Sequence, residues 1–255
     1  MNIEVILTPA ELPALKQRDL SEAACVVFDV LRATSAFVTA LHHGARAIVP
    51  VSEISEALAW RQKHPDVLLG GERDGVRIRA ARTGGVDFDL GNSPREYTSE
   101  KVRGKTIVST TTNGTRALRA GSGARTVLAA SFLNLAATAG FLRQLSLVNV
   151  VLVCAGTREN TALEDVLAAG ALCEMLEAGS SRRDGRFSDS AEITRRTYAQ
   201  AKTDLAAAVA TSENARRLLA IPELCDDVPF CLQHNIFPLV ARLEGDGIIP
   251  VPAST

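Results

Sequence analysis

Seven short apolar runs, near residues 2–7, 24–30, 46–51, 66–70, 105–110, 125–130 and 148–154, constrain this 255-residue chain most. Each is rich in Val and Ile and nearly continuous, the pattern of strands buried on both faces. Helix-like stretches follow them, near 34–43, 52–63, 114–120, 132–145, 161–178, 189–209 and 212–220. This rhythm predicts an α/β fold, a mainly parallel mixed sheet with helices on both faces. Residues 237–251, around Gly245-Asp246-Gly247, read as a closing β-hairpin. The length suits a single α/β domain over 1–255, or two intimately packed subdomains.

A formal net charge of −1 gives no electrostatic case for nucleic acid or an anionic membrane as partner. No apolar run approaches the roughly 20 residues of a membrane span. Met1 to Leu7 lacks a basic region and a cleavage site and reads as a first strand, so a cytoplasmic protein is expected. Five cysteines, an odd number without metal-like spacing, point to reduced thiols. Arginine outnumbers lysine 23 to 5. Arginine suits bidentate binding of phosphate and sulfonate, although genomic base composition is the better explanation of the surplus as a whole. A homo-oligomer, a dimer, is also expected, though no residue pattern carries that expectation.

Two stretches stand apart. Residues 71–104 are rich in Gly and Arg with weak periodicity, as functional or irregular segments are. Residues 179–188 read as a solvated polar loop. There is also an internal echo. The segments from Val26 and from Ile107 each show an apolar strand, a polar turn, a short helix, then Gly-Ala-Arg and a second strand, with Thr34 matching Thr115. A weaker third copy starts at Val150. General βαβ likeness explains the echo as well as two related half-sites facing one ligand do.

Ligands of open α/β sheets bind where strands turn into helices. The first such turn is Phe28 to Ser35. Its Asp29 suits a hard metal ion or a turn cap, and Arg32 suits an anion. Thr34 or Ser35 can cap the following helix. A haloacid-dehalogenase phosphatase needs a second acid two residues on, where Leu31 stands. The second turn offers an oxyanion the hydroxyl, amide and backbone donors of Thr111, Thr112, Asn113, Gly114 and Thr115, with Arg116 behind them. Capping and the β-propensity of Thr are the plainer reading. Gly104-Lys105-Thr106 is no Walker motif, because Ser99 replaces the required glycine.

The third turn brings Gly156, which lets backbone approach a ligand closely. It also brings Glu164 and Asp165 in an otherwise apolar helix. Carboxylates so placed need a divalent cation or an arginine beside them. Cys154 lacks the Cys-x5-Arg spacing of a cysteine phosphatase and reads as a packed residue. In 71–104, Glu72, Arg73, Asn92 and Ser93 are turn residues or the polar lining of a lid. None of the four histidines sits at a strand end with a partner, which argues against a His-based triad.

In order along the chain, FDVLRATS (28–35), GERDG (71–75), FDLGNSP (88–94), TTTNGTRAL (110–118) and CAGT with EDVLAAG (154–170) resemble the 2-phosphosulfolactate phosphatase family of the coenzyme M pathway. The resemblance covers about residues 3–251. It implies a family-specific α/β architecture and a Mg²⁺-dependent phosphatase. The implied substrate is 2-phospho-3-sulfolactate or a related small phosphorylated hydroxy-acid. On that reading Asp29, Glu164 and Asp165 hold Mg²⁺, and Asp29, Glu72 and Asp165 are the catalytic candidates. Arg32, Arg73 and Arg116 hold substrate charge. Thr34, Asn92, Ser93, Gly156 and the 111–115 turn receive the phosphate and the rest of the substrate. One departure is visible: segment 231–240 lacks the Asp that the family often places before its last hairpin. A non-catalytic sensor of a phosphorylated or sulfonated metabolite is the rival. It needs the arginines and capped turns but no grouped carboxylates.

Overall fold

The computed structural model describes residues 1–145, 147–178 and 186–252. Among the described residues ten strands form one sheet. They are β1 (Asn2–Ile6), β2 (Ala23–Phe28), β3 (Ala47–Pro50), β4 (Leu68–Arg73), β5 (Val76–Arg77), β6 (Thr106–Thr110), β7 (Thr126–Ala130), β8 (Asn149–Cys154), β9 (Leu239–Glu244) and β10 (Gly247–Pro252). The helices are α1 (Leu12–Leu15), α2 (Ala33–His42), α3 (Ile54–Lys63), α4 (Ala80–Thr83), α5 (Ser99–Val102), α6 (Gly114–Ala120), α7 (Leu135–Gln144), α8 (Leu163–Ala178), α9 (Asp189–Ala201), α10 (Leu205–Ala210), α11 (Glu213–Leu219) and α12 (Asp227–Cys231). All seven expected strands form, and every expected helix has a helical core. The helix expected over 189–209 breaks where Asp204 accepts the Ala207 N–H and caps α10. Of the loop expected over 179–188, residues 179–185 lie outside the described residues.

The strand order is β1-β8-β2-β7-β9-β10-β3-β6-β4-β5. β1, β8, β2 and β7 run parallel to one another, as do β3, β6 and β4. The hairpin β9–β10 joins the two groups and is antiparallel to β7 on one side and β3 on the other. The hairpin expected from Gly-Asp-Gly is therefore present, but it fills the middle of the sheet instead of closing an edge. The order is symmetrical about it: β7 answers β3, and β2 answers β6.

That symmetry corrects the βαβ reading of the echo. In β2-α2-β3 and in β6-α6-β7 the two strands are neither neighbours nor parallel. Each unit crosses from one half-sheet to the other, and the crossings are reciprocal. In the third copy α8 is followed, past residues 179–185 that lie outside the described residues, by Phe187, which bridges Ile3 of β1 in parallel.

Packing explains how the halves hold together. β2, Ala-Ala-Cys-Val-Val-Phe, is buried along its whole length. Every residue of α2 from Ala33 to Leu41 is buried too. Its small side chains let strands of both halves, β3, β7, β9 and β10, approach it. Its polar groups are satisfied internally: Ser35 Oγ donates to Val30 O at 2.8 Å and Thr39 Oγ1 to Ser35 O at 2.7 Å. α2 and α6 share one apolar cluster with strands of both half-sheets. On the other face α7 and α8 cover the first half and α3 the second. The residues that follow β2 and β6 nevertheless meet: a Cβ on Gly114 would stand 2.8 Å from Asp29 Oδ2.

Region 71–104 is not a lid. Ile78, Phe88, Leu90, Tyr97 and Val102 are buried, and Leu90 bridges to Gly70 at the sheet. It is a packed wall with short elements of its own.

Candidate active site

Register builds the site from two sides. Phe28 pairs with Cys154 across β2 and β8, so Asp29 and Gly156 leave the sheet at one place. Gly71 pairs with Thr110 across β4 and β6, so Glu72 and the hydroxyl-rich turn leave together at another. Both places open on one cavity of about 100 Å³, lined by Asp29, Arg32, Glu72, Asn92, Thr112, Asn113 and Gly156 among the expected residues. The two turns of the echo thus face the same space.

Asp29 is half-buried at the floor. Its Oδ1 accepts the Ala33 N–H at 3.1 Å. Burial pushes its carboxyl up to about 7, with Glu72 and Glu164 adding repulsion against the stabilising amides of Ala33 and Gly114. A Cβ on Gly114 would stand 2.8 Å from Asp29 Oδ2 and 3.0 Å from Ala33 Cβ, so this contact requires glycine.

Asp165 is buried in the first turn of α8. Its Oδ1 accepts the Val30 N–H at 2.7 Å and its Oδ2 the Gly156 N–H at 3.0 Å. Its carboxyl is pushed well up by burial, then by the charges of Asp29 and Glu164. It ties the first and third turns together. Gly156 adopts φ +72°, and a Cβ there would meet Asn160 O at 2.4 Å. Glu164 is buried beside it. Its Oε1 accepts from Asn214 Nδ2 at 2.7 Å, while Oε2 is buried with no partner among the described residues.

Glu72 does similar joining work across the cavity. Its Oε1 accepts from Thr112 N at 2.9 Å and Thr112 Oγ1 at 2.8 Å, and its Oε2 from Gly75 N at 2.7 Å. Asn113 Nδ2 donates to Ala155 O at 2.9 Å and to Arg158 O at 3.0 Å, which ties the second turn to the third.

Other expected residues turn elsewhere. Arg32 reaches the cavity, but its Nη1 is 2.6 Å from the fully buried Asp227, which also accepts from Ser93 Oγ at 2.6 Å. Ser93 therefore stands behind Arg32 instead of on the cavity wall. Arg73 Nη2 donates to Thr110 Oγ1 at 3.0 Å, and its Nη1 donates to the carbonyls of Glu72 and Thr110. Arg116 lies on the exposed face of α6 and pairs with Glu159 at 2.7 Å. Thr34 Oγ1 accepts the Asp29 N–H, and Thr115 Oγ1 accepts the Thr111 N–H while sitting 3.2 Å from Thr111 Oγ1. These three threonines hold the turns in shape, which is the capping reading. The cysteine behind the site fits the packing reading: Cys154 is buried, and its thiol is pushed well up by that burial.

Asp74, Gly75, Arg158, Asn214 and Arg217 line the cavity unannounced by the sequence. Asp227 was equally hidden. It precedes segment 231–240, where an acid was expected, and lies next to Arg32 in the fold. The Asp-Gly pair 74–75 is a turn signal that marks its own backbone. Nothing local marks α11, whose Asn and Arg residues look like an ordinary solvated helix face.

A protein-family model described as 2-phosphosulpholactate phosphatase matches residues 7–246. A Caldanaerobacter subterraneus subsp. tengcongensis protein named probable 2-phosphosulfolactate phosphatase is 38% identical over 238 residues, covering 92% of this chain and 93% of its own. A Thermotoga petrophila protein with the same name is 41% identical over 222 residues, 86% of this chain and 88% of its own. The Clostridium acetobutylicum counterpart is 32% identical over 250 residues, 98% of this chain and all of its own. Among the described residues no helix is long and apolar enough to cross a membrane.

Proposed function

The chain belongs to the 2-phosphosulfolactate phosphatase family, and from that premise we propose that its cavity hydrolyses 2-phospho-3-sulfolactate, or a closely related phosphorylated hydroxy-acid, with Mg²⁺ as cofactor. One observation carries the reading: Asp29, Glu72, Glu164 and Asp165 converge on the junction of two polar turns, with Asp29 and Asp165 raised by burial and by their neighbours. A binding protein for a dianion or trianion gains nothing from four carboxylates there; a phosphatase that recruits a cation does.

A hard cation fits the donor set. The donors are all oxygen, and Glu164 Oε2 is buried and unpartnered among the described residues. Among the described residues no group of three or more His, Cys, Asp or Glu side chains is placed to hold a metal ion, so the protein would supply fewer than three such ligands. We assign Asp29 and Glu164 as the protein's ligands with Asp165 beside them, leaving the remaining positions to substrate and water, as Mg²⁺ prefers. When bound, Mg²⁺ supplies charge neutralisation at the phosphoryl oxygens.

The protein's own groups then divide the work. Thr112 and Asn113 border the cavity with their side-chain donors already given to Glu72 and to the Ala155 and Arg158 carbonyls, so they shape the wall on which the phosphoryl group rests. Asp165 and Glu72 fix the turns that carry them. Asp29 is the carboxylate placed to take a proton from water or to attack phosphorus itself. Trapping with hydroxylamine or borohydride during turnover separates these routes, because only the second forms an acyl phosphate on Asp29. The function is tested by phosphate release over a panel of small phosphorylated acids with and without Mg²⁺. Release from 2-phosphosulfolactate that requires Mg²⁺ is expected. Tight binding of one member with release from none would replace the enzyme with a sensor.

A further inference from the structure

Three arginines line the cavity, and they differ in what already holds them. Arg32 is 3% exposed and spent, with Nη1 on Asp227 and Nη2 donating to Gly75 O. Arg158 and Arg217 stand on the exposed rim, and neither has a carboxylate partner among the described residues.

Arg217 is the one whose aim is fixed. Its Nη2 donates to Asn214 Oδ1 at 3.1 Å. Asn214 is itself 6% exposed and anchored, with Nδ2 donating to Glu164 Oε1 at 2.7 Å and to Thr157 Oγ1 at 2.6 Å. One guanidinium nitrogen is thus held, and the rest of the fork remains for a ligand. The guanidinium lies beside Gly75, where a Cβ would be in ordinary contact at 3.6 Å from Arg217 Cζ.

We propose that Arg217 is the specificity residue of this site, binding the substrate's second acidic group, a carboxylate or sulfonate, while the phosphoryl group lies at Asp29. The assignment rests on the phosphatase reading above. A planar fork with free donors matches either acid bidentately. Asn214 is a positioning residue for both ends of the ligand. It aims Arg217 at the rim, and by occupying Glu164 Oε1 it leaves Oε2 as that carboxylate's free oxygen.

Three secondary phosphate esters of like size test this: 2-phosphosulfolactate, 2-phospholactate with a carboxylate only, and glycerol 2-phosphate with neither acid. Arg217→Gln is expected to raise KM for the acid-bearing esters about 10- to 100-fold more than for glycerol 2-phosphate, the range of a charge-assisted hydrogen bond. kcat should fall by less than KM rises. Arg217→Lys, which keeps the charge without the fork, should recover part of the affinity. Equal losses on the first two esters assign the carboxylate to Arg217, and a loss confined to the first assigns the sulfonate. Equal losses on all three, or none on any, overturn the proposal. Wild-type enzyme inert towards 2-phosphosulfolactate would sink the proposed function, while the other two esters would still judge Arg217.

Discussion

The turns after β2 and β6 are built alike and do different chemistry. In each, the threonine of the following helix, Thr34 or Thr115, accepts the N–H of the first residue past the strand, Asp29 or Thr111. That shared hydrogen bond aligns an acid in one turn with a hydroxyl in the other. The acid turn gathers further carboxylates, and its one arginine, Arg32, is paired with Asp227. The hydroxyl turn carries no acid and satisfies itself through neighbouring backbone and Glu72. The two turns differ in span, with the threonine five residues after Asp29 and four after Thr111, and only Asp29 of that pair lines the cavity.

Asp29→Asn should break the comparison most severely by making both turns neutral. We expect kcat to fall about 10²- to 10⁴-fold. Thermal stability should hold or rise, since a buried repelled charge is gone. An active variant would remove Asp29 from the chemistry.

Gly114→Ala comes next. Its Cβ would collide with Asp29 Oδ2 and with Ala33, the residue that matches it in the other turn. A loss of about 1–3 kcal/mol from overpacking should outweigh the helix-propensity gain of about 1 kcal/mol, with activity falling in parallel. Denaturant titration reads the first and steady-state kinetics the second.

Thr112→Val tests the hydroxyl turn. It removes the hydroxyl donor to Glu72 and leaves the backbone one, at about 1 kcal/mol of stability. Turnover should fall about tenfold, a further 1.4 kcal/mol in the transition state. Kinetics that stay intact would reduce this turn to a helix cap.

The smallest effect is one of linkage. Asp29 and Asp165 have folded-state carboxyls raised above their ordinary value. The contribution of Asp29 to stability is complete below about pH 3.9 and is lost as pH rises through about 7 in metal-free protein, and Asp165 acts in the same direction. Mg²⁺ should therefore raise Tm more at pH 8 than at pH 5.5. An equal shift at both would separate the cation from these carboxylates.

Much of this was legible in the sequence, for physical reasons. Buried parallel strands need unbroken apolar runs, so the strands announced themselves. Asp29, Glu164 and Asp165 stood out because an acid against apolar neighbours demands an explanation. Side-chain direction was harder. Arg116 belongs to the exposed stripe Arg116–Arg119 of α6, whose neighbours Thr115, Ala117 and Leu118 are buried. Helical phase could have shown that it faces away. The pairing of Arg32 with Asp227, 195 positions apart, leaves no local trace. Nor does the crossing of each repeat into the opposite half-sheet, because local pattern names an element without naming its neighbour.

The central hairpin has a consequence for how the protein is made. β9 and β10 follow every other strand in the chain, yet they sit between β7 and β3. Until residues 239–252 emerge from the ribosome, the nascent chain carries two half-sheets with bare edges facing each other. Such edges pair readily with other chains. A chain cut short before this segment would keep eight of the ten described strands yet leave the edges of β7 and β3 bare, and is expected to aggregate.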